Sequence, residues 1–425
     1  MKNWAGNVDF EPFKVVMPRG QSDLVGTITQ ARADRRKVRC IGSGHSFTRL
    51  IETDDVLLSL DEMQGVLSHD TSTATVRAGT KLKKLGADLD ALGFGIENLG
   101  DIDVQSIAGA LSTGTHGTGA KFGILSTQIE ALKIVNGLGD VVEISAAKNP
   151  ELLNAARVSL GGLGIISEVT LKAHPRYKLA MEQTKASLDE ALANIEKYNE
   201  THRHFEFFWF PHTNTVLQKL TKLTDEEPLP VTFSQHFTDV VLENAAFEGI
   251  SKISRLVPVW APTISKICAS LASSNRRRDW SYRVFATPRW VKFVEMEYGV
   301  PMEHFRDVIR DIEKELAASN HQVHFPIECR FVKGDDIWLS PAFGGDRAFI
   351  AVHMYRGMPY KNYFDAMEKI FVKYGGRPHW GKMHTLRGPQ LARLYPHWDD
   401  FQRVRKQMDP DGVFETSYMK ELWNG

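Results

Sequence analysis

Three short runs in the second half of the chain bring chemically useful side chains to strand spacing. In Pro326-Ile327-Glu328-Cys329-Arg330-Phe331, Glu328 and Arg330 are two residues apart. A strand there would point both to one face and Ile327, Cys329 and Phe331 to the other. A carboxylate beside a guanidinium is a matched pair for hydroxyl and carbonyl oxygens. His353 and Tyr355 would share a face in the same way, and so would Trp380, Lys382 and His384. Each face alone reads better as a cross-strand ion pair or a polar outer surface. Three together point to a lined polar cavity, in which His353 or His384, titrating near neutral pH, would accept a proton.

A second signal lies in the backbone. Ile41-Gly42-Ser43-Gly44-His45-Ser46-Phe47 follows a predicted strand, Lys37–Cys40, and precedes the apolar run Asp55–Leu58. Gly42 and Gly44 permit positive φ and close approach of backbone to a ligand, and successive N–H groups in such a turn can cradle an anion. Taken alone, the heptapeptide reads as a glycine turn with an exposed histidine. The stretch from Asn98 to Gly119 changes the balance, with glycines at 100, 109, 114, 117 and 119 among small and hydroxylated residues. It cannot build a core by itself, so it implies backbone wrapped around a bound molecule. It is not a dinucleotide fingerprint, because no apolar strand leads in and no helical pattern follows. Ser159–Ile166 holds three further glycines, and a loop before an edge strand reads nearly as well there as a ligand approach.

These runs need elements to hold them. The pattern predicts helices over 21–32 and 81–91, a β-run over 73–79, and a hairpin pairing 129–136 with 141–144 around Gly137-Leu138-Gly139-Asp140. A strand over 167–171 closes this part, and composition shifts after His174-Pro175. Beyond it come a helix over 188–198, an aromatic strand from His204 to Phe210, and an irregular stretch over 220–280 with a helix near 240–256. A strand over 293–298 puts Val294, Met296 and Tyr298 on one face and Glu295 and Glu297 on the other. Helices over 302–317 and 363–374 and a helical C-terminus complete the pattern. The expected organisation is a cofactor domain over 1–175, a substrate (cap) domain over 176–395, and a segment over 396–425 returning to the first.

Composition narrows the function classes. The 425 residues carry 52 basic and 52 acidic side chains, so no global charge draws the chain to nucleic acid or anionic lipid. Arg35-Arg36-Lys37 and Arg276-Arg277-Arg278 read as solvated helix ends. Three scattered cysteines make neither a disulfide framework nor a zinc spacing, which suits a reducing compartment. No metal centre is expected: the pairs His202/His204, His321/His324 and His379/His384 lack helical ligand spacing. The N-terminus lacks a signal-peptide core, and Leu256–Ala272 is interrupted by Pro258, Pro262 and Lys266. A cytoplasmic protein is expected, with peripheral membrane attachment left open and the oligomeric state undetermined.

The two glycine stretches together resemble the vanillyl-alcohol-oxidase-type flavoproteins. Trp209-Phe210-Pro211-His212-Thr213, Glu328-x-Arg330, Asp336–Pro341, Arg377–Lys382 and Asp409–Phe414 are similar to the sugar-1,4-lactone oxidases, with alditol oxidases as close relatives. The resemblance spans nearly the whole chain and is weakest over 215–290. It implies an α+β fold: a two-subdomain FAD-binding domain and a cap with an antiparallel sheet. It implies FAD bonded covalently through His45, with Gly42, Ser43, Gly44 and Ser46 at the pyrophosphate. Ser106, Gly109, Thr113, Gly114, His116, Gly117 and Ile166 would contact the rest of the cofactor. Glu328, Arg330 and Lys382 fall on the family's substrate-contacting positions. The implied reaction is hydride removal from a hydroxyl-bearing carbon of a lactone to the flavin. Gly100 occupies the place where a small residue is linked to oxygen access, so dioxygen is the expected acceptor and hydrogen peroxide the product. An alditol substrate, or another electron acceptor, is the alternative.

Overall fold

The computed structural model describes residues 1–230, 243–286 and 290–424. Strand Val38–Ile41 runs parallel to Val56–Ser59, which also pairs with Lys14–Val16. Helix Gln21–Ala33 connects Lys14–Val16 to Val38–Ile41, burying Leu24, Ile28 and Ala31. The chain leaves Ile41 directly into the Gly42–Ser46 turn, so that turn projects from the carboxyl end of a buried strand.

A five-stranded antiparallel sheet follows, in the order Val66–His69, Thr73–Arg77, Ile165–Lys172, Ile129–Val135, Val141–Ser145. It contains the predicted hairpin, paired from Ala131↔Ser145 to Val135↔Val141. Helix Leu82–Ala91 buries Leu82, Leu85 and Leu89, the positions its sequence periodicity marks. The last thirty residues pack against this half. Val38 N–H donates to Val413 O (2.8 Å), Gly137 N–H to Met408 O (2.9 Å), and the Asp409 carboxylate accepts from Val413 and Phe414 N–H.

Among the described residues, eight strands between Lys178 and Pro378 form one antiparallel sheet, ordered Asn275–Trp280, Lys178–Ser187, Thr215–Thr224, His204–Trp209, Ile327–Val332, Arg347–Tyr355, Phe293–Pro301, Arg377–Pro378. Helices Phe305–Ala318 and Lys361–Lys373 bury apolar stripes, including Phe305, Ile309, Phe364 and Phe371. Strands Ile327–Val332 and Arg347–Tyr355 are consequently buried at every position. Polar and apolar side chains still alternate along these strands, but both faces are covered.

Several expectations need correction. The helix over 188–198 is two helices, Leu188–Ala193 and Ile195–Thr201; Asn194 interrupts it, its Nδ2 donating to Glu190 O (2.8 Å). The irregular stretch holds strands Thr215–Thr224 and Asn275–Trp280 and helices Glu243–Leu256 and Ala261–Leu271. Of the helix expected near 240–256, residues 240–242 lie outside the described residues. Arg276–Arg278 is not a helix end but part of an edge strand, where charge blunts further pairing. Among the described residues, no helix is long and apolar enough to cross a membrane.

Candidate active site

The Gly42–Ser46 turn forms one wall of a cleft of about 890 Å³. Ser106, Gly109 and Thr113 line it with the turn, as do Gly161 and Gly164 from the loop before strand Ile165–Lys172 and Ile166 in that strand. Ser106 caps the short helix Ile107–Ser112, its Oγ accepting from Gly109 N–H (3.3 Å). A side chain at Gly42 would overlap that same Oγ, so glycine lets the two walls approach without turning Ser106 out of its capping position. The donor set suits FAD: N–H groups and small side chains along a narrow cleft, with an imidazole at its end. Burial, with the nearby charges of Lys382 and Lys81, lowers the His45 pKa to about 4. At neutral pH the ring is therefore uncharged and nucleophilic.

Two residues expected at the cofactor lie on neither cavity wall. A side chain at Gly117 would overlap the Leu99 carbonyl oxygen, and Gly114, at φ +73°, packs against Pro341 Cδ. Gly117 thus serves the folding of the loop on itself, and Gly114 the approach of the loop to Pro341. Gly100 and His116 line a second cavity instead.

That cavity, about 660 Å³, meets the first at His45, Ser46, Gln105 and Thr113. Its charged lining comes from both halves of the chain: Asp101, Glu295, Glu297, Glu328, Arg330 and Lys382. Arg330 donates to Glu328, and its Nε and Nη2 lie 3.3 Å from Glu206 and Asp101. Lys219 completes this group, 2.8 Å from Glu206. Burial alone would lower the Arg330 pKa, but Glu328, Asp101 and Glu206 hold it well above the ordinary value. The guanidinium is a fixed charge.

A second group surrounds Lys382. Its Nζ lies 2.5 Å from Glu295 and 3.7 Å from Glu297. His116 Nε2 approaches Glu297 at 3.2 Å, and its Nδ1 faces Gly117 O at 2.8 Å. Burial would raise the Glu295 pKa, but Lys382 and His353 hold it down to about 2. Glu297 is likewise held low against burial, by His116 and Lys382.

The two candidate proton acceptors part company. His353 stands behind Glu295, opposite it in the strand register. Its Nδ1 faces Pro326 O (3.0 Å), and its buried Nε2 is 3.5 Å from Glu295 Oε1 without forming a hydrogen bond. His384 lines neither cavity; it is buried edge-on to Trp380. The shared face of Trp380, Lys382 and His384 does not form. Only Arg377–Pro378 is strand, and Lys382 N–H turns back to His379 O (2.9 Å). Lys382 therefore reaches the cavity while Trp380 Nε1 donates the other way, to Leu339 O. Tyr355 shares a strand face with His353, both rings lying against Phe325, but its hydroxyl bonds Glu248 (2.9 Å) and it lines neither cavity.

Sequence reasoning missed Asp101, Glu206, Lys219, Glu295, Glu297, His379 and Trp4. The alternation Val294-Glu295-Met296-Glu297-Tyr298 was legible, but nothing in it said that the glutamate face is buried.

The chain can now be compared with known proteins. The D-arabinono-1,4-lactone oxidase family description matches residues 169–422, and an FAD binding domain matches residues 12–145. The L-gulono-1,4-lactone dehydrogenase of Mycobacterium tuberculosis is 39% identical over 422 residues, covering 99% of this chain and 98% of the relative. The L-gulonolactone oxidase of Mus musculus is 31% identical over 431 residues, at 99% and 98% coverage. Among solved structures, a cholesterol oxidase from B. sterolicum superposes with a TM-score of 0.83 at 19% identity, over 99% of this chain and 96% of that one, a likeness of fold alone. With a family match over more than half its length and two full-length relatives at these identities, the chain belongs to the D-arabinono-1,4-lactone oxidase family of FAD-dependent oxidoreductases acting on CH–OH donors.

Proposed function

We propose that the protein oxidises a secondary hydroxyl of a sugar-1,4-lactone, with FAD lying in the first cleft and tethered through His45. One observation carries this reading: the cofactor cleft opens at His45 into a cavity holding Glu328, Arg330 and Lys382. The relatives' names supply the lactone, and relatives named dehydrogenase and oxidase both occur.

Bound FAD supplies the hydride acceptor. The protein's own groups do the rest. Arg330 and Lys382, fixed cations beside the cavity, stabilise negative charge as it develops on the reacting oxygen. Glu328 accepts hydrogen bonds from substrate hydroxyls while fixing the guanidinium. The reacting hydroxyl donates to the Glu295 carboxylate, which Lys382 keeps ionised, so the proton does not rest there but is relayed to His353 on its far side. Because His353 Nδ1 donates to Pro326 O, Nε2 keeps its lone pair toward Glu295 and can take the proton onward. The substrate thus loses a hydride and a proton and becomes a ketone.

Dioxygen as acceptor belongs to the same reading, supported by glycine at position 100 on the cavity wall. So does peripheral contact with lipid, supported by an apolar edge on the helices over 243–271, where Leu256 is 78% and Leu271 71% exposed. The test is a panel of sugar-1,4-lactones and alditols assayed with dioxygen and with an artificial acceptor in parallel. Turnover of lactones above alditols is expected. Preference for alditols would replace the substrate assignment, and turnover only with the artificial acceptor would replace dioxygen.

A further inference from the structure

The segment Asn3-Trp4-Ala5-Gly6-Asn7 has no part in the steps above, yet it crosses the loop that carries His45. Trp4 N–H donates to Gly44 O (2.7 Å), Asn3 Nδ2 to Ser46 O (2.9 Å) and Asn7 Nδ2 to Phe47 O (2.8 Å). Asn3 and Asn7 are joined to each other by a 2.7 Å bond between their side chains. Three carbonyls within four residues of the loop are thus tied to one short strap.

Among the described residues His45 makes no hydrogen bond, so polar contacts do not set the plane of its ring. The contact that does is Trp4. The indole stacks on the imidazole with centroids 5.3 Å apart and planes 23° apart. It also meets Phe293, from the strand bearing Glu295 and Glu297, at 5.3 Å and 72°, and Phe47 at 6.4 Å and 88°. Phe47 and Phe293 stack on each other at 5.9 Å, so three separate parts of the chain build one aromatic wall. All three rings line the substrate cavity beside its charged groups.

We propose that Trp4 is a positioning residue for His45 and part of the substrate wall. Its indole fixes the plane in which the imidazole meets the cofactor, and its aromatic surface takes C–H groups of the sugar ring. The first role rests on the His45 tether proposed above; the second does not. A stacked aromatic contact of this kind is worth about two- to tenfold in an equilibrium or a rate.

The test uses full-length, FAD-loaded protein carrying Trp4→Ala, Trp4→Phe or Asn7→Ala. It measures the fraction of flavin precipitating with protein in acid, KM and kcat for a lactone, and the melting midpoint. Trp4→Ala should lower the acid-stable fraction severalfold and raise KM by up to about tenfold, and Trp4→Phe should restore most of both. Asn7→Ala, which weakens the strap without touching His45, should lower the melting midpoint while changing flavin fraction and KM far less than Trp4→Ala does. If Trp4→Ala does not fold, Trp4→Leu takes its place. Wild-type flavin fraction and KM in the alanine variant would overturn the proposal, as would losses in Trp4→Ala and Asn7→Ala that merely track melting. If wild-type protein itself releases its flavin in acid, the tether reading fails separately. Trp4 is then judged on KM and its rescue by Trp4→Phe: a raised, rescuable KM supports the wall, and an unchanged KM overturns it.

Discussion

Replacing Lys382 with methionine should invert the pH dependence of stability. In the wild type Lys382 Nζ sits 2.5 Å from Glu295, whose pKa is held at about 2 although its side chain is only 5% exposed. A carboxylate with a depressed folded-state pKa contributes stability at neutral pH and loses it as pH falls from the ordinary glutamate value through about 2. The depression corresponds to about 3 kcal/mol, in line with the roughly 3–5 kcal/mol lost when one partner of a buried pair is removed. Lys382→Met leaves Glu295 and Glu297 on one buried face, with His353 and His116 as their remaining partners. Burial then dominates, and the Glu295 carboxyl moves upward from its depressed value, past that of the unfolded chain. A carboxyl raised above its unfolded value costs stability at neutral pH and returns it on acidification, so the variant should gain stability as pH falls, opposite in sign to the acid loss of the wild type. The assay is the urea midpoint of the FAD-loaded protein at several pH values. A variant with the wild-type midpoint at pH 7, or with no gain on mild acidification, would refute the assignment of Lys382 as the counter-charge.

The same reasoning extends to three other positions. Arg330→Ala removes the cation shared by Glu328, Glu206 and Asp101; anaerobic flavin reduction should slow by about 10²–10³ with FAD content retained. Gly42→Ala should cut FAD content in purified protein, because its methyl overlaps Ser106 Oγ, and the double variant with Ser106→Ala should recover part of it. Gly100→Ala places a Cβ 2.9 Å from His116 O; the ratio of dioxygen-dependent to artificial-acceptor turnover should fall, and an unchanged ratio would separate Gly100 from oxygen access.

Much of this was legible in the sequence wherever a local rule decides the outcome. The Gly42–Ser46 turn follows from a strand ending in glycines, and the Glu328/Arg330 face follows from period two. The hairpin over 129–145 and helix Leu82–Ala91 follow from alternation and from leucine spacing. What stayed hidden depends on packing between distant segments. Glu295 and Glu297 read as a polar strand face, and only the approach of His116 and Lys382 makes that face an interior. Lys219 and Glu206 become site residues because strands Thr215–Thr224 and His204–Trp209 pair beside Ile327–Val332. His379–His384 looked like a strand because its polar residues alternate, yet Gly381 and the Lys382 N–H bond to His379 O make it a turn. Trp4 carried no signal of its own, since a lone tryptophan near a terminus gives no periodicity.

The central claim, that FAD beside His45 is reduced by a lactone held at Glu328, Arg330 and Lys382, is tested most directly by anaerobic mixing. Purified FAD-loaded protein is mixed with a sugar-1,4-lactone in the absence of any acceptor, and the visible flavin band is followed in time. The account predicts rapid bleaching by lactone, saturating with its concentration, slower bleaching by alditols, and a large loss of rate in Arg330→Ala. A flavin band that no lactone bleaches, or one bleached as fast in Arg330→Ala as in the wild type, would contradict it.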